Sequence, residues 1–192
     1  MGWAENMANK GKVGCGNVGF DFEGKIIFAH QLLWNSEVLR MARDSQEKRL
    51  GDKTTSLEFL GMLLPFIMIP EMLCNKYVIV KVDNVGCYYG WINKQIPGDE
   101  MASILVRSLH LICAFLGCQV HVEHLPRRKT WEADLVDRLS RESSTNWNDR
   151  ALLRSFGKKR VPDCLSEWMK APSQDWGLAD SLLKHVVEIV GN

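Results

Sequence analysis

Two short stretches of this chain carry acidic residues in a setting that suits divalent-metal phosphodiester chemistry. The first is KYVIVKVDNVGCYYGWINK, in which Asp83 closes an apolar run. The second is VHVEHLPRRKTWEADLVDRLSR, which ends beside Asp137. A carboxylate at the edge of a strand or helix is held by the backbone while its oxygens stay open, and hard divalent cations take oxygen ligands. Glu58 is a third candidate. Thr54 or Thr55 can cap a helix starting at Ser56, because a threonine oxygen accepts from an unpaired N-terminal amide. Glu58 then sits in the first turn, where the helix dipole favours negative charge. A first-turn glutamate is also an ordinary helix-start residue, so it gains weight only in company.

The elements that must position these residues follow from periodicity. Val13 to Phe22 and Lys25 to Leu33 are glycine-marked, β-branched and aromatic runs, and Glu23-Gly24 between them predicts a hairpin. Asn35 to Lys53 is dominated by charge and reads as a surface loop or short helix. Leu57, Leu60 and Leu64 share one face of the helix that Thr54 or Thr55 begins. YVIVKV (77–82) reads as a central strand packed on both faces, with Asp83 at its C-terminal end. That position, opening into a helix, is a favoured place for a metal or phosphate in α/β sheets.

Asp99 caps the next helix, whose apolar residues from Met101 to Phe115 recur at helical spacing until Gly117 stops it. QVHVEHL (119–125) alternates as a strand and runs into Pro126. Trp131 to Arg141 then forms a helix with Leu135 and Leu139 four apart. Asp134 and Asp137, three apart, share a side of it. Arg127, Arg128 and Lys129 precede that helix, either as phosphate contacts with Trp131 anchoring the loop or as a solubilising turn. Beyond Glu142 a polar stretch, Ser143 to Asn146, leads to amphipathic pieces that read as a helical tail.

Composition sets the outer limits. A chain of 192 residues with 46% hydrophobic content can bury one good core. Its net charge of +1 supplies no global attraction to nucleic acid or anionic lipid, so any such contact is local. Six cysteines lack CxxC spacing and read as reduced, structural thiols. The start Met-Gly-Trp-Ala-Glu-Asn-Met has neither a basic region nor an apolar one, and with reduced thiols this predicts an intracellular location, cytoplasm or nucleus. LEFLGMLLPFIMIPEML (57–73) contains two glutamates and two prolines, too interrupted for a membrane span, so no membrane association is expected.

The order of pieces resembles the ribonuclease H domain found behind retrotransposon reverse transcriptases, of the DIRS or Gypsy kind. The residues that carry the resemblance are Leu57-Glu58-Phe59, Val82-Asp83-Asn84 with Trp91-Ile92-Asn93-Lys94, and His124-Leu125-Pro126 followed by Val136-Asp137-Arg138-Leu139-Ser140-Arg141. The resemblance covers about Val13 to Arg141. It implies an α/β fold, a ribonuclease H-like mixed sheet flanked by helices, over residues 1–142, with a small helical C-terminal appendage over 143–192.

By the same resemblance, Glu58, Asp83 and Asp137 are metal-binding catalytic residues for Mg²⁺ or Mn²⁺ in a two-metal site. The substrate is the RNA strand of an RNA/DNA hybrid, and an upstream reverse transcriptase domain is an implied partner. His124 resembles a loop histidine that assists product release. Ala133-Asp134 also imitates the final acidic motif, although the D-x-L-S-R spacing favours Asp137. The family's fourth carboxylate lies on a first strand, and here the sequence departs: no Asp precedes Gly2-Trp3-Ala4, and the remaining alternative is Asp21. The other outcome the departure allows is a catalytically inactive relic acting as a nucleic-acid-binding or protein-interaction module. Integrase- or resolvase-type nucleases share the fold but space their carboxylates differently.

Overall fold

The computed structural model describes residues 14–44, 55–125, 130–141, 144–157, 161–170 and 177–191. Gly2-Trp3-Ala4, residues 45–53 of the charged run Asn35 to Lys53, the Thr54 cap and Arg127-Arg128-Lys129 lie outside them. In chain order the elements are β1 (Gly14–Phe20), β2 (Ile26–Leu33), α1 (Ser36–Asp44), α2 (Thr55–Met68), α3 (Pro70–Leu73), β3 (Tyr77–Val82) and α4 (Val85–Asn93). There follow α5 (Glu100–Leu116), β4 (Gln119–His124), α6 (Trp131–Leu139), α7 (Trp147–Ser155), α8 (Asp163–Lys170) and α9 (Gly177–Val190).

The fold is mixed α/β, but a single mixed sheet is not what forms among the described residues. They hold two two-stranded sheets, β1–β2 antiparallel and β3–β4 parallel. The described residues fall into two compact units, one within Met1–Trp34 and Arg127–Arg160, the other within Asn35–Pro126 and Val161–Asn192. The first is called the hairpin unit below and the second the parallel-strand unit. Residues of the expected tail are therefore divided between them.

In the hairpin unit, the turn is built as its residues dictate. Gly24 adopts φ +81°, a left-handed conformation that glycine enters without a Cβ clash. Asp21 Oδ1 accepts the backbone N–H groups of Glu23 (3.0 Å) and Lys25 (2.8 Å). Helix α6 lies on β1 and buries Leu135 and Leu139. The approach is close: a Cβ at Gly16 would stand 2.4 Å from Leu139 Cβ and 2.8 Å from the Val136 carbonyl oxygen. Only glycine lets the helix settle this near the strand. Helix α7 packs against β2.

The parallel-strand unit is organised by α2 and α5. Almost the whole circumference of α2 is buried, Glu58 and Pro65 excepted, which explains why its sequence is apolar all round rather than on one stripe. Leu60, Leu63, Leu64, Ile67, Leu105, Leu109 and Ile112 are at most 1% exposed. Each such side chain contributes about 1.5–3 kcal/mol on burial. Helix α9 packs along α5 and adds Leu182 and Val186, and His185 Nε2 lies 3.1 Å from the Ile67 carbonyl oxygen. Asp99 caps α5, accepting from Ala102 N–H at 2.9 Å, and Gly117 ends it at φ +62°.

Strand β3 pairs with β4 from Tyr77–Gln119 to Val82–His124. The expectation of a strand packed on both faces does not hold: Tyr77 is 63% and Ile79 49% exposed, alternating with half-buried Val78 and Val80. An apolar run in a parallel strand signals a two-sided environment only when further layers cover it. Among the described residues the second face of β3 is bare. No helix among them is long and apolar enough to cross a membrane.

Candidate functional site

Glu58 and Asp83 reach one corner of the parallel-strand unit by different routes. Asp83 is exposed, directly after the last residue of β3. The chain then turns into α4 through Asn84, whose Oδ1 accepts the N–H groups of Gly86 (2.6 Å) and Cys87 (3.3 Å). Asn84 is buried, which holds the Asp83 backbone at the mouth of the helix. Glu58 sits half-buried in the first turn of α2, as its capping context predicts.

The two helix starts abut. Cys87 Sγ, fully buried, lies 3.6 Å from the Thr55 carbonyl oxygen and 3.9 Å from Glu58 Oε2. A Cβ on Gly86 would stand 2.8 Å from Thr55 Oγ1, so the absence of a side chain there lets the β3–α4 turn meet the start of α2. Neither Cys87 nor Gly86 figures in the sequence reading as a site residue. Their signal was present only as small residues just after Asp83.

The end of β4 closes the same side of the strand pair. His124 Nε2 lies 3.3 Å from the Asp83 carbonyl oxygen, and its ring is 6.2 Å from that of Tyr88. His121, Glu123, His124, Leu125 and Tyr88 line an open groove of about 480 Å³. His121 Nε2 and Glu123 Oε1, two residues apart on β4, are 4.0 Å from each other.

Other residues of the recognised pieces have structural work. Trp91 stacks on His110 with ring centroids 3.8 Å apart, and burial lowers the His110 pKa below its ordinary value. Lys94 ends α4 at φ +57°.

Asp137 lies on α6 in the hairpin unit. It is exposed and pairs with Arg141, Nη2 to Oδ1 at 3.1 Å. Asp134, the alternative, is exposed in the first turn of the same helix. Their neighbours are more deeply engaged. Arg138 makes a two-toothed pair with Asp149, Nε to Oδ2 at 2.9 Å and Nη2 to Oδ1 at 3.0 Å. Asp149 is 3% exposed, and the Arg138 guanidinium holds its carboxyl below the usual range. Sequence reading passes over Asp149 because a lone Asp after Asn-Trp-Asn resembles any helix cap. Asp21, weighed for the fourth carboxylate, spends an oxygen on the hairpin turn.

The structure thus gathers Glu58 and Asp83 within one unit and carries Asp137 on the other. Among the described residues, no group of three or more His, Cys, Asp or Glu side chains is placed to hold a metal ion. All six cysteines are free thiols. No protein-family model, no curated protein and no solved structure matches this chain.

Proposed function

We propose that the chain is a retroelement-derived, ribonuclease H-like endonuclease that hydrolyses the RNA strand of an RNA/DNA hybrid with Mg²⁺ or Mn²⁺. The observation that carries this reading is the corner at which the C-terminal end of β3 brings Asp83 to the helix start that bears Glu58, through the Gly86 and Cys87 contacts. An acid at a strand's carboxyl end and an acid in a helix's first turn supply oxygens from two rigid elements, which suits a metal centre better than loop carboxylates do. Asp137 is a third acid only by the sequence resemblance, and it lies on α6 of the hairpin unit.

A bound divalent pair would supply an activated water and would neutralise charge on the departing oxygen. The chain's own part is to orient the acids. Asn84 fixes the turn after Asp83, and Cys87 faces one oxygen of half-buried Glu58. His124, bonded to the Asp83 carbonyl, stands beside the groove where a product phosphate would leave. An RNA/DNA hybrid would be read through minor-groove 2′-hydroxyls and duplex shape, with little sequence preference. An upstream reverse transcriptase domain is the partner this reading implies.

The test is cleavage of a labelled hybrid by the purified chain with Mg²⁺ or Mn²⁺, beside Asp83→Asn. Cleavage that falls by about a hundredfold or more in the variant supports the reading. An uncut hybrid with both proteins ends it.

A second reading, an inactive relic that binds nucleic acid or a protein partner, is favoured by one observation: Asp21 is bound into the hairpin turn. Titration with Mn²⁺ separates the two. A rising melting temperature supports metal binding, and an unchanged one supports the relic.

A further inference from the structure

The turn that ends α5 brings two thiols together inside the parallel-strand unit. Gly117, in the left-handed conformation, directs its N–H to the carbonyls of Ala114 and Cys113, and the next amide, Cys118 N–H, donates to the Cys113 carbonyl at 2.9 Å. Crossed bonds of this kind lay the side chain after the glycine against the side chain that begins the last helical turn, and a hydrophobic pair commonly fills the two positions. Here they are Cys118 and Cys113. Their thiols are in hydrogen-bonding contact.

The neighbouring chain holds that contact in place. Asn75 N–H donates to the Leu116 carbonyl and Gln119 N–H to the Lys76 carbonyl, both at 2.9 Å, so the backbone is fastened on each side of Gly117 and Cys118. A Cβ at Gly117 would stand 2.4 Å from Asn75 Oδ1, which leaves no room for a side chain there. Cys113 is 5% and Cys118 9% exposed. Burial pushes both thiols above their ordinary pKa, while their contact raises Cys113 and lowers Cys118, so Cys118 is the readier of the two to ionise. Cys74, half-buried just after α3, acts on Cys118 electrostatically. By contrast, Cys15 accepts from Asn17 Nδ2 and Cys87 faces the Thr55 carbonyl.

We propose that Cys113 and Cys118 form a reversible oxidation site, at which hydrogen peroxide converts the thiol pair into a disulfide across the end of α5. The Cys118 thiolate attacks a peroxide oxygen, the O–O bond breaks, and the departing hydroxide takes up a proton as water, leaving Cys118 as a sulfenic acid. The Cys113 sulfur then attacks the Cys118 sulfur. The S–O bond breaks, and the second hydroxide leaves as water with the Cys113 proton. Two electrons pass from sulfur to peroxide, so two thiols and one hydrogen peroxide become one disulfide and two waters. Burial makes the first step slow, because the thiolate is the nucleophile. Contact makes the second fast, because the partner sulfur is already in place. The bond therefore forms in preference to further oxidation of Cys118. It ties α5 to the start of β4, at the end of the strand pair opposite Asp83, and does not depend on the nuclease reading.

The test exposes the full, reduced chain to hydrogen peroxide and then alkylates it in denaturant. Trypsin releases both cysteines in one peptide, Ser108 to Arg127. That peptide is expected to carry neither alkyl group and to be lighter by two hydrogens than its reduced form, and dithiothreitol added before alkylation should restore both sites. In Cys113→Ser, which removes the resolving thiol, dimedone should trap Cys118 as a sulfenic acid. A Ser108–Arg127 peptide alkylated at both cysteines after peroxide, a disulfide from Cys74 to either thiol, or a sulfinic Cys118 beside a reduced Cys113 overturns the proposal. Mapping of the parent chain decides the matter even if Cys113→Ser does not fold.

Discussion

The two units hold their acidic residues by opposite means. Among the described residues, the large side chains with almost no exposure lie in the parallel-strand unit, Leu60, Leu63, Phe66, Leu105 and Leu182 among them, with Leu139 the one in the hairpin unit. The parallel-strand unit is therefore held by apolar packing, which is strong but indifferent to direction. Its acids acquire their orientation from where the backbone ends: Glu58 at a helix start, Asp83 at a strand end. The hairpin unit has little apolar material and uses directional bonds instead: the Asp149 fork, the Thr145 hydroxyl and the Gln31 amide. The difference teaches that a core of modest size can still fix a helix if its polar groups are satisfied in place.

This comparison can be broken most severely by ending the chain at Glu142. That truncation takes Thr145 and Asp149 from one unit and Leu165, Leu182 and Val186 from the other. Both units should lose cooperative unfolding, seen as a broad, featureless thermal melt by circular dichroism. A fragment that melts as sharply as the whole chain would show that the last 50 residues are an independent appendage, as their polar entry suggests.

A smaller change sharpens the contrast on the apolar side. Phe66, 2% exposed in α2, should cost about 3–5 kcal/mol when truncated to alanine, measured by urea unfolding. On the side of the hairpin unit, Gly16→Ala forces α6 away from β1 and should cost about 1–3 kcal/mol. A loss under about 0.5 kcal/mol there would mean that the helix can shift freely, which the 2.7 Å bond from Gly14 N–H to the Ser140 carbonyl argues against.

The smallest expected effect is one of pH. His30 on β2 is 9% exposed, its Nδ1 has no hydrogen-bond partner among the described residues, and burial lowers its pKa from 6.5 to about 4. The folded state thus binds a proton less readily than the unfolded chain. Stability from this group is complete above the unfolded pKa and is lost as pH falls from 6.5 toward 4. Between about pH 7 and 5.5 the loss is about 1 kcal/mol. His30→Phe, which keeps a ring beside Phe28, should flatten that dependence in urea titrations at the two pH values.

Much of the element order was legible because it depends on local rules. Asp99, Gly117 and Gly24 announce a cap, a stop and a turn through the chemistry of single residues, and the structure places each there. The apolar spacing of α5 and the alternation of β4 depend only on near neighbours. The expected two-faced burial of β3 fails because an apolar run reports what a strand could bury and not which layers arrive to cover it. The polar stretch that leads to the tail hides structure for a related reason. Thr145 and Asn146 are polar, yet Thr145 is buried and bonded to α6, and Asn146 shares a capping box with Asp149. A satisfied buried hydroxyl and an exposed one look the same in a sequence.

The candidate site divides along the same line. That Glu58 would start a helix and Asp83 would end a strand was set by residue type and spacing, since caps, dipoles and β-branched runs act over a few residues. That Gly86 and Cys87 bring those two ends to one corner, and that Asp149, eleven residues beyond Arg138, locks the helix of Asp137, was decided only by tertiary packing. Contacts of that kind depend on which surfaces exclude water together, and no local pattern carries that information.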